Sequence, residues 1–361
     1  MHIKKLLLKN FRNYAAEEFG FSPGLNVLSG KNAQGKTNCA EAVFYLCTGA
    51  SPRTRREKQL IKNGTERAEI SCVCAGRYGD VEISASITDG GREVKINGNK
   101  ITRNADLLGN VFAVFFSPQE LRLIQDGPDE RRRFINVSIS QLSRPYFVAL
   151  SRYNKILEQR NNLLKNRDLQ TVFDTLPVWD AQLCRYAAVI AKSRADYLAK
   201  LSPLAAEAHA YLTDGNEALE VTPDKKYKGS EQELEKRLFD ELSNNYDRDI
   251  RLGYTASGPH RDDVDIVING ADAKHYASQG QTRTAALAIK LAEVNVFKEE
   301  CGEYPVLILD DVMSELDLPR RKKLVGRTEG LQTIITCTHA ERVLYGREAN
   351  KIVIEGGRVK R

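Results

Sequence analysis

Gly30-Lys31-Asn32-Ala33-Gln34-Gly35-Lys36-Thr37 reads G-x-x-x-x-G-K-T, and no other stretch narrows the chain's options so far. Glycines at both ends let the backbone turn tightly and approach a polyphosphate. The loop N–H groups and the first turn of a following helix present partial positive charge to it. Lys36 is spaced to reach the β- and γ-phosphates, and the Thr37 hydroxyl to ligate Mg2+. The flanks agree: Leu25-Asn26-Val27-Leu28-Ser29 is an apolar strand candidate and residues 38–47 carry helical character. Strand, loop and helix in that order point to an α/β fold. The competing reading is a glycine turn that happens to carry a lysine, and the flanking elements weigh against it.

A chain of 361 residues, 42% hydrophobic and 28% charged, has the composition of a core-forming protein of one large domain or two to three ordinary ones. No apolar run approaches the length of a membrane span and no long apolar region follows Met1, so a cytoplasmic protein without a membrane partner is expected. Seven cysteines lie mostly in apolar stretches, and Cys72-Val73-Cys74 has the wrong spacing for a zinc pair. They read as reduced core residues. A net charge of +6 leans gently towards an acidic partner such as nucleic acid.

Strand candidates at residues 3–9, 68–76, 80–88 and 92–96 describe an antiparallel region, with Asn97-Gly98 as a type I′ hairpin turn. Residues 111–116 give another buried strand. From about residue 129 to 245, Leu, Ala, Arg, Lys, Glu and Gln dominate at helical spacing, with Pro177 and Pro203 expected to punctuate a helical lobe. β character is expected again at 251–255 and 264–268, a long helix over 281–300, apolar strands at 306–309 and 333–337 with a basic helix between them, and a closing hairpin around Gly356-Gly357. Strand–helix alternation at both ends, with a helical insert between, gives a split core of 1–128 and 250–361 around a helical lobe of 129–249.

Val306-Leu307-Ile308-Leu309 runs into Asp310 and Asp311, as a Walker-B strand does. Asp310 suits the metal role, and Asp311 the orienting or deprotonating of an attacking water. Before the long helix, Ser278-Gln279-Gly280-Gln281 offers a serine, a glycine and free N–H groups, a second anion site by the same dipole argument. An ordinary serine N-cap is the equal alternative on these residues alone. If both sites bind phosphate, each faces the other subunit's nucleotide in a head-to-tail dimer.

Ser278-Gln279-Gly280-Gln281 resembles the signature motif of ABC-type ATPases, Ser314-Glu315-Leu316-Asp317 their D-loop, with Ser314 and Asp317 as its site residues, and His339 their switch histidine. More narrowly, Leu8-Lys9-Asn10-Phe11-Arg12-Asn13-Tyr14, the phosphate loop, Arg131-Arg132-Arg133-Phe134, Gly258-Pro259-His260-Arg261-Asp262-Asp263, residues 276–284 and residues 309–317 resemble the RecF family of SMC-like ATPases over nearly the whole chain.

The resemblance implies an ABC-type P-loop core, a parallel sheet plus an antiparallel β subdomain, with an inserted helical lobe. It implies Mg-ATP as cofactor, an ATP-dependent homodimer that clamps duplex and gapped DNA, RecR- and RecO-like mediator partners, and help in loading recombinase, in the cytoplasm and at the nucleoid. Lys36, Asp311 and His339 take the catalytic roles. The chain departs from the family pattern in two places. Pro118-Gln119-Glu120 stands where an acid usually follows the proline, leaving Gln119 as the Q-loop candidate, and Asn136 stands where an aspartate is typical. An aspartate at 311, where many ABC ATPases have glutamate, suits slow turnover. Arg53, Arg55, Arg56, Arg131, Arg132 and Arg133 are candidates for phosphate or DNA contacts, with solvated or salt-bridged surface as the competing reading. The other classes are the ATPase subunit of a transporter and a structural SMC-type protein. An insert of 129–249 is too short for the long coiled coil the second needs.

Overall fold

Four apolar strand segments, Leu25–Ser29, Ala113–Phe116, Val306–Asp310 and Thr333–Cys337, form the centre of the molecule, because a strand buried on both faces has no use for alternating polarity. A computed structural model describes residues 1–76, 79–166, 168–225 and 227–360. Its central sheet runs in the order Arg358–Val359, Asn350–Glu355, Leu25–Ser29, Thr333–Cys337, Val306–Asp310 and Ala113–Phe116. All neighbours are parallel except the closing hairpin of the last two chain segments.

Alternate residues of these strands feed two different cores. Val306, Ile308 and Ile334 pack on the side of the helix Lys36–Thr48, while Leu307, Leu309 and Ile335 pack on the side of the helix Gln279–Cys301. On the first side lies an antiparallel sheet in the order Tyr14–Gly20, His2–Phe11, Arg67–Gly76, Gly79–Thr88, Gly91–Ile96 and Asn99–Lys100. Asn97 and Gly98 both adopt positive φ, 49° and 78°, as a type I′ turn requires. The fold is therefore the expected α/β one, a parallel sheet with an antiparallel subdomain.

The stretch with helical spacing folds into Pro128–Leu142, Arg144–Leu163, Leu169–Thr213 and Glu231–Ser243. Two expectations fail here. Pro177 and Pro203 interrupt nothing: both sit inside the 45-residue helix Leu169–Thr213, about 68 Å long at 1.5 Å per residue. An internal proline forfeits one hydrogen bond and costs about 3 kcal/mol. The apolar stripe of this helix, from Val172 to Leu212, buries enough to offset two such losses.

Residues 251–255 are not a strand. The helix Tyr246–Leu252 ends at Gly253 in a left-handed cap, and Thr255 donates its N–H to Asn161 instead of to a ladder. The strand at Val264–Ile268 does form, paired to Leu219–Pro223, which lacked any distinct signal within the helical stretch. All seven cysteines are free; Cys301 is half-buried and the other six are buried.

Candidate nucleotide site

The phosphate loop is clamped from behind by both ends of the chain. Asn13 donates to the Gln34 carbonyl at 3.0 Å and Tyr14 to the Gly35 carbonyl at 2.9 Å. From the C-terminal turn, Gly357 N–H reaches the Gln34 carbonyl at 3.1 Å and Gly356 N–H reaches the Gln34 side-chain oxygen at 2.5 Å. The glycines are needed for this closeness. A Cβ on Gly30 would sit 2.2 Å from the Ile354 carbonyl oxygen, and one on Gly35 2.7 Å from the Tyr14 hydroxyl. Lys31, Asn32 and Ala33 are exposed at the loop's crest. Lys36 is turned back onto the loop, donating to the Gly30 and Lys31 carbonyls at 2.8 Å each, and burial lowers its pKa.

Residues 273 positions apart meet in front of the loop. Thr37 donates its hydroxyl to Asp310 Oδ1 at 2.9 Å, and Thr336, from the neighbouring strand, donates to the same oxygen at 2.7 Å. Burial raises the Asp310 pKa against the pull of these two hydroxyls and of Arg53. Asp311 turns into the left-handed region, φ 55°, which leaves it exposed; its N–H binds Thr336 and its carboxylate accepts from Ser314 at 3.2 Å.

Mg2+ prefers oxygen ligands and usually takes one or two from protein, with phosphates and water completing the octahedron. One hydroxyl and one buried carboxylate in contact are a donor set of that kind. Among the described residues no group of three His, Cys, Asp or Glu side chains stands ready to hold a metal without phosphate.

Ser278 caps the long helix in a reciprocal box with Gln281, whose side-chain amide also donates to Glu217 at 3.1 Å. Ser278, Gln279 and Gly280 are exposed, and no hydrogen bond among the described residues joins them to the phosphate loop. Arg283, one turn further on, pairs with Glu315 at 2.5 Å, tying this helix start to the stretch that resembles a D-loop. There Asp317 caps the helix Leu318–Gly326 by accepting from Arg320 N–H. His339 is exposed beside Thr338, at 3.0 Å. Gln119 is exposed on a short turn next to Glu120, which lies 3.6 Å from the Lys290 ammonium.

The six candidate arginines divide. Arg131 is buried, bidentate with Asp263 at 2.6 and 2.8 Å and bound to two carbonyls, so its role is to close the fold and not to meet a ligand. Arg132 is largely covered, reaching the Asp262 carbonyl at 2.6 Å and Asp129. Arg133 stretches towards the Ser51 and Pro52 carbonyls. Arg53 bonds Asn38 at 2.9 Å and Glu41 at 3.4 Å, which brings it close to the phosphate loop. Arg55 and Arg56 are exposed.

Several residues of the site gave no signal in the sequence. Glu41, fully buried in the phosphate-loop helix, gathers Arg12 at 2.7 and 2.9 Å, Ser51 at 2.6 Å and Arg53, and so moors the basic loop against the nucleotide side. Asn13 and Tyr14 were visible only as part of a family-like string. Asn136, the departure from the family pattern, accepts from Tyr146 at 2.6 Å and Arg194 at 2.9 Å, so an uncharged oxygen does the bridging there.

The family model of the RecF/RecN/SMC N terminal domain matches residues 2–359. A relative from Clostridium acetobutylicum, DNA replication and repair protein RecF, is 42% identical over 339 residues, 94% of this chain and 93% of that one. Its counterpart from Lachnoclostridium phytofermentans is 42% identical over 361 residues and 99% of each chain. The solved structure of the recombination mediator protein RecF with ATP, from the RecFOR pathway, superposes with a TM-score of 0.90 at 35% identity, covering 99% and 97% of the two chains. An Smc head domain from Pyrococcus furiosus shares the fold, with a TM-score of 0.59 at 17% identity over 99% and 95%. The two-layered core with its phosphate loop and Walker-B strand is thus an SMC-like head of the ABC-type P-loop ATPases. Within that class the chain belongs to the RecF family.

Proposed function

We propose that this chain is a DNA-repair ATPase in which Mg-ATP joins two copies head to tail into a clamp on duplex and gapped DNA, with turnover releasing it. The observation that carries this reading is the Thr37–Asp310 hydrogen bond, which unites the two halves of a Mg-ATP site from opposite ends of the chain. Family membership supports the link to DNA repair. By the same analogy the clamp assists recombinase loading together with RecR- and RecO-like mediators. Its core is drawn from residues 1–128 and 250–361. The helical lobe of 129–249 shares a three-stranded sheet with the strands at 264–272.

In this mechanism the loop N–H groups and Lys36 take the β- and γ-phosphates, Lys36 exchanging its two carbonyl partners for phosphate oxygens. Thr37 and Asp310 hold the Mg2+. A Mg2+ held there would neutralise phosphate charge. Asp311, held by Ser314, accepts a proton from the attacking water, and its short side chain makes that step slow. His339 bonds the γ-phosphate, and Gln119 follows it from the turn after the strand Ala113–Phe116. Ser278 to Gln281 of the partner copy close the site with the helix N-terminus, and Ser314 and Asp317 line the same interface. The exposed capped serine, unattached to its own phosphate loop, supports this sharing.

Ser278→Arg puts a cation and bulk where the partner's nucleotide enters. Sedimentation with Mg-ATP is expected to give dimers for the wild type and monomers for the variant, while the variant monomer keeps ATP affinity within a few-fold. A variant that still dimerises with ATP overturns the shared site.

A further inference from the structure

Gly258-Pro259-His260-Arg261-Asp262-Asp263 turns inward at every position but one. A Cβ on Gly258 would come 2.7 Å from the Tyr153 hydroxyl, and the Pro259 carbonyl accepts from Arg194 at 2.6 Å. His260 lies between the Tyr153 hydroxyl at 2.6 Å and the Thr255 carbonyl at 3.0 Å. A carbonyl only accepts, so Nε2 carries the proton and Nδ1 accepts from the tyrosine. Burial lowers the pKa of this ring to about 4, so it is neutral near pH 7. Asp262 accepts from Tyr227 at 2.8 Å, and Asp263 holds Arg131.

Arg261 alone is exposed. Its guanidinium lies over the Tyr254 ring at 4.8 Å, and among the described residues it forms no ion pair. A surface arginine ordinarily samples many rotamers and loses that freedom when it binds. Stacked on a ring above a rigid turn, this one is held ready in a single place.

The segment that runs into Tyr254 carries the same charge. Arg248 and Arg251 are exposed on the helix Tyr246–Leu252, and exposed Lys165 lays its stem against Gly253. None of the three forms an ion pair among the described residues; Arg251 touches only the Asp247 carbonyl. Between residues 246 and 263, Asp247 is the one exposed carboxylate, since Asp249 and Asp262 are buried and Asp263 is paired. The patch also connects to the basic loop beside the nucleotide site. Arg132 binds the Asp262 carbonyl next to Arg261, and Arg133 on the same helix reaches the Ser51 and Pro52 carbonyls at the root of Arg53, Arg55 and Arg56.

We infer that Arg261, braced by Tyr254, is together with Arg248 and Arg251 on the segment before that tyrosine, and Lys165 against it, a phosphate-backbone contact for duplex DNA, on a surface distinct from the nucleotide site. This rests on the DNA-binding reading given above. A guanidinium matches a phosphate in two parallel hydrogen bonds, and a cluster of unpaired cations is the footprint of a polyanion. The choice of duplex over single strand follows from Tyr254: one face of its ring is already covered by Arg261, so the patch offers backbone contacts in place of a free stacking platform for unpaired bases.

The test is binding of a gapped duplex in Mg-ATP across a salt series, for wild type, Arg261→Ala, Arg251→Ala/Arg261→Ala, Tyr254→Phe and Tyr254→Ala. Each lost arginine is expected to reduce the slope of log affinity against log salt by about one, and affinity by roughly tenfold at 0.1 M salt, whatever the DNA sequence. Tyr254→Phe keeps the stack and the wild-type slope, while Tyr254→Ala weakens binding. Melting temperature, ATP affinity and ATP-dependent dimerisation stay at wild-type values in all of them. Wild-type binding with an unchanged slope in the double variant overturns this surface and leaves the clamp intact. No DNA binding by the wild type overturns both. A loss confined to single-stranded oligonucleotide, or a loss of dimerisation in place of DNA affinity, overturns the duplex assignment.

Discussion

Asp310 shows how one residue is poised between stability and chemistry. Burial raises its pKa, and two hydroxyls partly restore the carboxylate. Because the folded group titrates above an unfolded aspartate, its ionisation opposes folding. The stability it contributes is full in acid, below the unfolded value, and is lost as pH rises through the folded one. Asp310→Asn removes that penalty while its amide oxygen can still accept from Thr37 and Thr336. The variant is expected to melt at a higher temperature than wild type at pH 7, with the gap closing in acid, and to lose roughly a hundredfold or more in Mg-dependent turnover. A melting temperature lowered at pH 7 counts against this account. Asp310, Thr37 and Lys36 are legible in the sequence because their spacing is set by a ligand. Thr336 is not, since a threonine inside an apolar strand looks like any β-branched core residue. Arg131 misleads for the opposite reason: charge is visible in a sequence, but the carboxylate that neutralises it lies 132 residues away.

At the scale of elements, legibility follows how local the cause is. Strands, the Asn97-Gly98 turn and the helix ahead of Gly302 declare themselves through pattern and turn chemistry. The proline-bearing helix and the strand Leu219–Pro223 exist because distant partners cover them, which no window of residues records. The helical region has its own internal lock. Arg160, fully buried on Arg144–Leu163, holds Asp180 of the long helix at 2.5 Å and Asp249 of Tyr246–Leu252 at 2.8 Å, and also bonds Thr255. Arg160→Met leaves two buried carboxylates without their cation, and breaking such a set costs about 3–5 kcal/mol. Urea denaturation is expected to show that loss, with partial recovery in Arg160→Met/Asp180→Asn/Asp249→Asn, whose amides need no counter-charge. Failure of the triple variant to regain any stability makes packing, and not charge, the main contribution.

For the whole molecule, the phosphate loop is braced by Asn13 and Tyr14 from one end of the chain and by Gly356 and Gly357 from the other, so nucleotide binding reports on the integrity of the entire core. A ligand bound only by the folded state at a hundred times its Kd adds about 2.7 kcal/mol. If one chain held all the contacts, that gain would be the same at every protein concentration. Ser278, Gln279 and Gly280 stand exposed and apart from their own loop, so in the proposed head-to-tail dimer part of the binding energy is available only when a second copy supplies them. Unfolding then also separates a dimer, and its midpoint follows mass action. The melting temperature in Mg-ATP is therefore expected to climb as protein concentration is raised over two decades, while without nucleotide it stays fixed. Ser278→Arg should keep a concentration-independent rise with ATP and lose the rest. An equal ATP shift at all concentrations in the wild type means that a single chain completes the site, and the capped helix start at Ser278 then serves the fold alone.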